Sequence, residues 1–249
     1  MLKKFFSLFG VGKEGSLEPL ILQADMHSHL IPGIDDGVKT IEDSVELISK
    51  LSEVGYTKLV TTPHVMRDAY KNTPEIILGG LDDVRKALSQ TGIEVEIEAS
   101  AEYYMDDGFE MLIDNQQLLP FGDNYILFEM SFMNKPPNLG EMVFKLKTQG
   151  YKPILAHPER YPYLYDRTLE RFEEIRDLGV LLQINLMSLN GTYSIPARDF
   201  ARKLIDNEMV DLVGSDIHNI GQFSNLKECL KDKYLHKLAG QGKLLNTSL

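Results

Sequence analysis

The strongest constraint on the fold is an apolar segment of strand length that recurs along the chain, each time followed by an amphipathic segment of helix length. Seven such segments are predicted as strands, and many of the helical segments between them end at a glycine. This alternation predicts a parallel sheet, and the pattern alone fits both a doubly wound sheet and a closed barrel. The predicted strands cover residues 20–27, 58–64, 93–102, 125–131, 153–159, 180–186 and 210–218.

Side chains that bind metals stand at the ends of six of the seven predicted strands. Ligands bind at the carboxyl ends of strands in both architectures. A doubly wound sheet needs such groups on only a few strands, so their presence on nearly every strand favours a barrel. Five of the six histidines belong to this set, and His236 is the exception. The strand-end candidates are His27, His29, His64, Glu102, Glu129, His157, Asp216 and His218.

Two of these motifs place paired ligands on one face of a strand. His27 and His29 are two residues apart, and so are Asp216 and His218, so both side chains of each pair point to the same side. Imidazole and carboxylate groups suit Zn²⁺, Mn²⁺ or Fe²⁺. The candidates outnumber the ligands of one tetrahedral ion, which predicts two or three ions that activate water for attack on a phosphoryl group. A lone strand-end histidine is more often structural, so the prediction depends on the joint pattern.

Two further features adjoin this set. Asp35 and Asp36 lie in an Ile-Asp-Asp-Gly turn, either as ordinary turn residues or as a carboxylate that folds back onto the ions. Arg160 follows His157 by three residues, and a guanidinium there is suited to bind a phosphate through two hydrogen bonds. The alternative for Arg160 is a surface salt bridge, and we favour the phosphate.

The composition argues against several other classes of protein. The net charge of −11 disfavours non-specific binding to nucleic acid. The one cysteine, Cys229, forms no internal disulfide, as expected of a cytoplasmic protein. Thiol phosphatases need an arginine six residues after the cysteine, and Leu235 stands there. No apolar run is long enough to span a bilayer.

Residues 1–18 are predicted to form an N-terminal extension, with residues 19–249 as one barrel domain. Apolar residues within residues 1–16 fall on one face of a short helix, beside two lysines. We expect this helix to pack on the barrel rather than to bind a membrane surface, because two lysines give little electrostatic attraction. The G-x-G-x-x-G pattern at residues 10–15 has no strand before it and is interpreted as a linker.

In this order, the strand-end motifs resemble those of the PHP (polymerase and histidinol phosphatase) superfamily. The closer resemblance is to the bacterial manganese-dependent protein-tyrosine phosphatases of capsule and exopolysaccharide operons, over roughly residues 22–235. It implies an α/β fold, a distorted TIM-like (β/α)₇ barrel with a trinuclear metal centre. The matching motifs are DMHSHLIPGIDDG (25–37), TTPH (61–64), AEYY (101–104), LFEMS (127–131), AHPERY (156–161) and GSDIHN (214–219).

The resemblance also implies roles for individual residues. It implies that Asp36, rather than Asp35, is a metal ligand and that Arg160 binds phosphate. It implies two or three divalent ions, with Mn²⁺ expected ahead of Fe, Zn²⁺ or Mg²⁺, and a metal-activated hydroxide that attacks phosphorus directly. The implied substrate is the tyrosine-rich tail of a bacterial tyrosine kinase. The nine implied ligands are His27, His29, Asp36, His64, Glu102, Glu129, His157, Asp216 and His218.

One position departs from the family pattern. Related phosphatases carry a second arginine just after the D-x-H motif, where this chain has Phe223. Arg67 and Lys227 are candidates for the missing cation, and Phe223 is a candidate for stacking on a phosphotyrosine ring.

Three alternatives to the tyrosine phosphatase stay open. A phosphatase of a small metabolite such as histidinol phosphate shares the metal chemistry and differs in its pocket. A nuclease or proofreading domain of the same superfamily is disfavoured by the acidic charge. A metal-bound scaffold that has lost catalysis is kept open by the absence of arginine at position 223. The sequence predicts neither an oligomeric state nor the partner kinase.

Overall fold

The structure, a computed structural model, describes residues 22–249. The predicted extension at residues 1–18 and the glycine pattern within it lie outside this range. All seven predicted strand positions carry parallel strands. The strands are β1 (Ala24–Asp25), β2 (Lys58–Thr61), β3 (His64–Val65), β4 (Glu96–Ala99), β5 (Glu102–Tyr104), β6 (Tyr125–Glu129), β7 (Lys152–Ala156), β8 (Leu181–Asn185) and β9 (Leu212–Gly214).

The second and third predicted strands are each divided into two. β2 and β3 are separated at Thr62 and Pro63, and β4 and β5 are separated at Ser100 and Ala101. Pro63 has no N–H group to donate to a neighbouring strand, which accounts for the first break. The pairing nevertheless continues past both breaks, because Glu102 N donates to Pro63 O at 3.1 Å.

The strands close into a barrel, which confirms the predicted architecture. Two sheets, in the orders β1-β2-β4 and β3-β5-β6-β7-β8-β9, are joined through the divided strands. The remaining gap between β1 and β9 is closed by a parallel bridge between Ser28 and Ile217. Below this bridge, Ser215 donates to the Asp25 carboxylate from its backbone N at 2.9 Å and from its hydroxyl at 2.5 Å.

The helices begin and end where local chemistry satisfies their free backbone groups. Thr40 and Asp43 form a capping box at the first helix, and Thr73 caps the second, in which Pro74 occupies the first turn. None of the helices in residues 22–249 is long and apolar enough to cross a membrane. The helices are α1 (Ile41–Glu53), α2 (Pro74–Leu88), α3 (Asp107–Asp114), α4 (Leu139–Thr148), α5 (Glu170–Asp177), α6 (Ile195–Asp206), α7 (Phe223–Cys229) and α8 (Lys233–Gly240).

The apolar residues form two clusters with different positions. The larger one fills the layer between the strands and the surrounding helices. The smaller one draws residues from around the ring, including Val60, Leu127, Ile154 and Leu212, so it fills the barrel interior. Leu127 belongs to this interior, and Glu129, two residues on, lies on the same side of β6 at its carboxyl end. The barrel therefore has an apolar lower half and a polar mouth.

We expect opposite effects from alanine at two adjacent glycines of α2. A Cβ at Gly79 meets no atom of residues 22–249 within 4 Å, whereas a Cβ at Gly80 lies 2.3 Å from Cγ2 of Ile31. Gly79→Ala should stabilise the protein by about 0.5–1 kcal/mol, the usual gain over glycine in a helix. Gly80→Ala should destabilise it by roughly 1–3 kcal/mol through overpacking. Urea unfolding of both variants tests this, and equal effects would contradict the packing of α2 on Ile31.

Asn246 is expected to stabilise the barrel seam. Its buried amide donates to Ala24 O at 3.1 Å and Val213 O at 2.8 Å, and its Oδ1 accepts from Val213 N at 2.9 Å. Asn246→Ala should lower the free energy of unfolding by about 3 kcal/mol, since one buried group left without a partner costs roughly 1–3 kcal/mol. The control is Thr247→Ala, whose hydroxyl donates to Leu244 O in the same turn at 3.0 Å. A loss no larger than that of the control would refute this role.

Candidate metal centre

All nine predicted ligands meet at the mouth of the barrel. They surround a cavity of about 470 Å³, with His27 and His29 fully buried beneath it. The cavity is lined by Asp36, His64, Met66, Tyr70, Glu102, Glu129, Phe132, His157, Arg160, Tyr193, Asp216, His218, Asn219 and Gln222.

The ligand atoms fall into three overlapping groups, in each of which they lie within 4.8 Å of one another. His29 belongs to two of the groups, and so do His64 and Glu102. Shared members place the groups side by side, as a cluster of adjacent ions requires. The groups are His27, His29, Glu102 and Asp216; His29, Asp36, His64 and His218; and His64, Glu102 and Glu129.

His157 adjoins the third group without belonging to it. Its Nε2 lies 3.0 Å from Oε1 of Glu102 and 3.9 Å from Oε2 of Glu129. The side chain is buried, and its Nδ1 has no hydrogen-bond partner among the described residues. This imidazole is therefore placed to complete the set formed by His64, Glu102 and Glu129.

Acceptors outside the cluster fix which imidazole nitrogen faces it. Nδ1 of His27 lies 2.9 Å from Oε1 of Gln183, and Nδ1 of His29 lies 2.7 Å from Oδ2 of Asp35. Nδ1 of His218 lies 3.0 Å from the backbone oxygen of Asp216. Each Nδ1 is therefore placed to donate outward, so Nε2 is the nitrogen that faces the cluster and, once deprotonated, would offer its lone pair to a cation. Metal-binding histidines are held in this way by outer partners.

Buried polar atoms without partners mark the same place. Nearly all buried polar atoms in proteins are hydrogen-bonded, so each exception needs an explanation. Five of the eight exceptions among the described residues belong to predicted ligands. Cations bound within the ligand groups would satisfy the atoms of His27, His29, His64 and Glu102, so the residues present fit a metal centre. The five atoms are Nε2 of His27, Nε2 of His29, Nδ1 of His64, Oε2 of Glu102 and Nδ1 of His157.

The pKa values of the cluster reflect two effects, the burial of charged groups and the closeness of opposite charges. Burial lowers the pKa of the His27 imidazole, but Glu102 and Asp216 outweigh this effect and raise the pKa to about 9. Burial raises the pKa of the Glu102 carboxyl, and the neighbouring His27 and His64 bring it well below its usual range. The Glu102 carboxylate therefore stays ionised and needs positive charge beside it, whether from imidazolium groups or from metal ions.

Two site residues have a left-handed backbone conformation. His157 has φ 36° and Asp216 has φ 51°. Non-glycine residues rarely adopt this conformation, which costs on the order of 1–3 kcal/mol and persists where the surrounding structure imposes it, often at a functional site. Here it occurs where β7 and β9 end, at the positions from which the two side chains enter the cluster.

The two adjacent carboxylates in the Ile-Asp-Asp-Gly turn have different roles. Asp36 lies in the second ligand group, with Oδ1 3.5 Å from Nε2 of both His64 and His218. A hydrogen bond from His218 lowers the pKa of Asp36 to about 2. Asp35 holds His29 from outside and accepts from the backbone N of Gly37 and His64. Asp36 therefore lies among the candidate ligand atoms, and Asp35 lies behind His29.

Sequence reasoning missed the contribution of β8. This strand ends in no histidine or carboxylate, but Gln183 and Asn185 point to the same side of it. Gln183 holds His27 and donates to Asn185 Oδ1 at 3.0 Å, and Asn185 donates to Oδ2 of Asp216 at 2.6 Å. Two alternating amides within an apolar strand were the signal that could have identified them.

Arg160 is the only lysine or arginine that lines the cavity among the described residues. Its Nη1 donates to Oδ2 of Asp216 at 3.0 Å. Its Cζ lies 4.2 Å from the ring centroid of Tyr193 and 4.9 Å from that of Phe132. Stacking between two rings holds a guanidinium in place while leaving its edge available for an oxyanion.

The other predicted substrate-binding residues do not line this cavity. Arg67 is half exposed and lies 3.6 Å from Asp107, at the start of α3. Phe223 is partly buried against the main core, and Gln222 beside it lines the cavity instead. Lys227 is exposed on α7. Their roles in substrate binding stay predictions without support from this geometry.

Sequence relatives, a solved structure and a family model all point to one group of bacterial proteins. Tyrosine-protein phosphatase YwqE of Bacillus subtilis is 28% identical over 197 residues, covering 79% of this chain and 77% of that protein. The putative tyrosine-protein phosphatase CapC of Staphylococcus aureus is 28% identical over 213 residues, covering 85% and 83%.

A solved structure shares the fold and most of the length. It comes from work on YwqE of Bacillus subtilis and CpsB of Streptococcus pneumoniae, described as unique metal-dependent tyrosine phosphatases. It superposes with a TM-score of 0.77 at 26% identity, covering 87% of this chain and 90% of the other. Residues 23–246 match the family described as capsular polysaccharide synthesis, CpsB/CapC. This chain therefore belongs to the CpsB/CapC family of capsular polysaccharide synthesis.

Proposed function

We propose that this chain is a metal-dependent protein-tyrosine phosphatase. The observation that carries the proposal is a buried cluster of unpartnered imidazole and carboxylate atoms beside a stacked arginine, at the open mouth of a barrel. The related YwqE, CapC and CpsB proteins bear the name of this activity. The proposed ligands are His27, His29, Asp36, His64, Glu102, Glu129, His157, Asp216 and His218.

When bound, divalent ions would supply Lewis acidity toward a phosphoryl oxygen and an activated water for attack on phosphorus. The four carboxylates among the ligands carry a charge of −4, which two divalent ions would neutralise and three would exceed. A net positive centre suits a phosphate monoester dianion. We propose Mn²⁺ as the metal, following the resemblance found in the sequence.

Arg160 is proposed as the phosphate-binding residue. In the described part of the chain its guanidinium makes one hydrogen bond, through Nη1 to Asp216, so its other N–H groups are free for phosphoryl oxygens. A planar guanidinium gives two parallel hydrogen bonds, which orient the phosphoryl group as well as neutralise it. Preorganised donors of this kind stabilise the charge that develops in the transition state.

The physiological substrate is proposed to be a phosphotyrosine protein, and specifically the tyrosine-rich tail of a tyrosine kinase in polysaccharide synthesis. The phosphatase names of the relatives support the first part, and the kinase comes from the sequence resemblance alone. A cytoplasmic location, expected from the single cysteine, stays a prediction.

Metal removal should abolish the phosphatase activity, and reloading with metal should restore it. Protein stripped with a chelator should release no phosphate from a phosphotyrosine peptide, and Mn²⁺ should restore release, because the unpartnered ligand atoms need cations. Reloading should also raise the melting temperature, since a ligand that binds only the folded state stabilises it. Phosphate release and thermal unfolding, measured on the same samples, test this.

His157→Ala should abolish release and lower the metal content, whereas His236→Ala, on an exposed histidine outside the cluster, should change neither. Histidinol phosphate serves as the comparison substrate. Preferential hydrolysis of histidinol phosphate would replace the proposal by the small-metabolite phosphatase. Metal-replete protein that hydrolyses neither substrate would favour the scaffold.

Arg160→Ala is expected to lower kcat/KM by about 10²–10³-fold, the usual loss for one preorganised donor to a transition-state oxyanion. Arg160→Lys should recover only part of this loss, because an ammonium keeps the charge and lacks the planar pair of donors. Steady-state kinetics on the phosphotyrosine peptide measure both. The control is Arg198→Ala, whose guanidinium pairs with Asp199 on α6. Wild-type kinetics in Arg160→Ala would exclude the proposed role.

A further inference from the structure

A second cavity adjoins the metal centre at Arg160. It has a volume of about 250 Å³ and is lined by Phe132, Arg160, Tyr193, Ser194 and Ala197. Three of these residues, Phe132, Arg160 and Tyr193, also line the main cavity, so the two spaces adjoin along the guanidinium and the two rings. No ionisable side chain other than Arg160 and Tyr193 lines it among the described residues.

Phe132 lies in the loop that follows β6, three residues after the proposed ligand Glu129. It is 43% exposed, and among the phenylalanines and tyrosines that the structure describes only Phe144 is more exposed. Its ring is nevertheless held from one side. It stacks on the His157 ring at 5.8 Å and 17° and lies tilted against Tyr161 at 5.3 Å. A ring with a fixed position and an open surface beside the site is suited to contact an incoming apolar group.

We propose that this second cavity is the subsite for the aryl ring of the substrate, with Phe132 as its specificity-determining residue. The inference rests on the proposed phosphatase function. If Arg160 binds the phosphoryl group, the ester substituent on that group lies close to the side chains that surround Arg160. Two of these side chains are aromatic: the ring centroids of Phe132 and Tyr193 lie 4.9 and 4.2 Å from Cζ of Arg160.

The residues that line this cavity favour a phosphate ester of an aromatic alcohol over a phosphate ester of a polar alkyl alcohol. Aromatic pairs in offset or edge-to-face arrangements gain about 0.5–1.5 kcal/mol beyond the burial of their area. An ester with an ammonium substituent would have to give up water here beside two aromatic rings and the like charge of Arg160. The subsite therefore favours a phosphotyrosine ring over phosphoserine or a small polar metabolite phosphate. In this geometry Phe132 takes the stacking role that the sequence suggested for Phe223.

Binding of non-hydrolysable phosphonates tests the subsite without turnover. Phenylphosphonate and methylphosphonate present the same headgroup to the Mn²⁺-loaded protein, and only the first carries a ring. We expect phenylphosphonate to bind the wild type about tenfold more tightly, which corresponds to roughly 1.4 kcal/mol. Phe132→Ala should bring the two dissociation constants close together, because phenylphosphonate loses the ring contact and methylphosphonate loses only the support that Phe132 gives to Arg160. Phe132→Leu, which keeps apolar bulk, should retain part of the preference.

The matched control is Phe144→Ala, which removes a 68% exposed phenylalanine from α4, outside both cavities. It should preserve the wild-type ratio. Equal weakening of both phosphonates by Phe132→Ala would overturn the inference, because Phe132 would then act only as support for His157. An unchanged ratio would overturn it as well.

Kinetics separate failure of the subsite from failure of the proposed function. With the subsite, Phe132→Ala should lower kcat/KM for phenyl phosphate about tenfold more than kcat/KM for an alkyl phosphate, mainly through KM. A wild type that hydrolyses phosphate monoesters but binds both phosphonates equally would overturn the subsite and leave the phosphatase standing. A metal-replete wild type that hydrolyses no phosphate monoester would overturn the phosphatase itself.

Discussion

Four carboxylates and five imidazoles share the mouth of this barrel, and burial couples their charges. A charge taken out of water costs several kcal/mol unless an opposite charge or a metal compensates it. Imidazolium groups provide that compensation in the structure described, as the raised pKa of His27 shows, and bound cations would provide it in the proposed enzyme. The surrounding side chains act on this cluster from outside: Gln183 and Asp35 orient imidazoles, and Asn185 and Arg160 bond Asp216.

Closure of the barrel and assembly of the ligands are the same event. The H-x-H and D-x-H motifs lie on opposite sides of the seam between β1 and β9. Backbone bonds cross this seam within the motifs, since Asp216 N donates to His27 O at 2.7 Å and His29 N donates to Ile217 O at 3.0 Å. The first ligand group takes members from both sides. A barrel that opened at this seam would therefore lose its metal site together with its fold.

The site is asymmetric in a way that suits a phosphate ester. Carboxylates and imidazoles occupy the floor and one wall, while Arg160 and its two flanking rings form the wall toward α6. Phosphate and ester substituent would thus meet different chemistry on the two sides of one guanidinium. The expectation that Phe223 contacts the substrate came from its place just after the D-x-H motif. In the fold the chain turns into α7 there, and the ring packs on the core.

The sequence by itself determined the barrel, the strand positions and the set of candidate ligands. Periodicity reports which face of a segment is apolar, and carboxyl ends of parallel strands meet at one edge. The tertiary structure alone decided how the candidate ligands divide into groups, the different positions of Asp35 and Asp36, the contacts of the β8 amides, and the exposure of Phe132 beside Arg160. Those features depend on distances between segments far apart in the chain. Local patterns do not encode such distances, because packing and barrel closure set them.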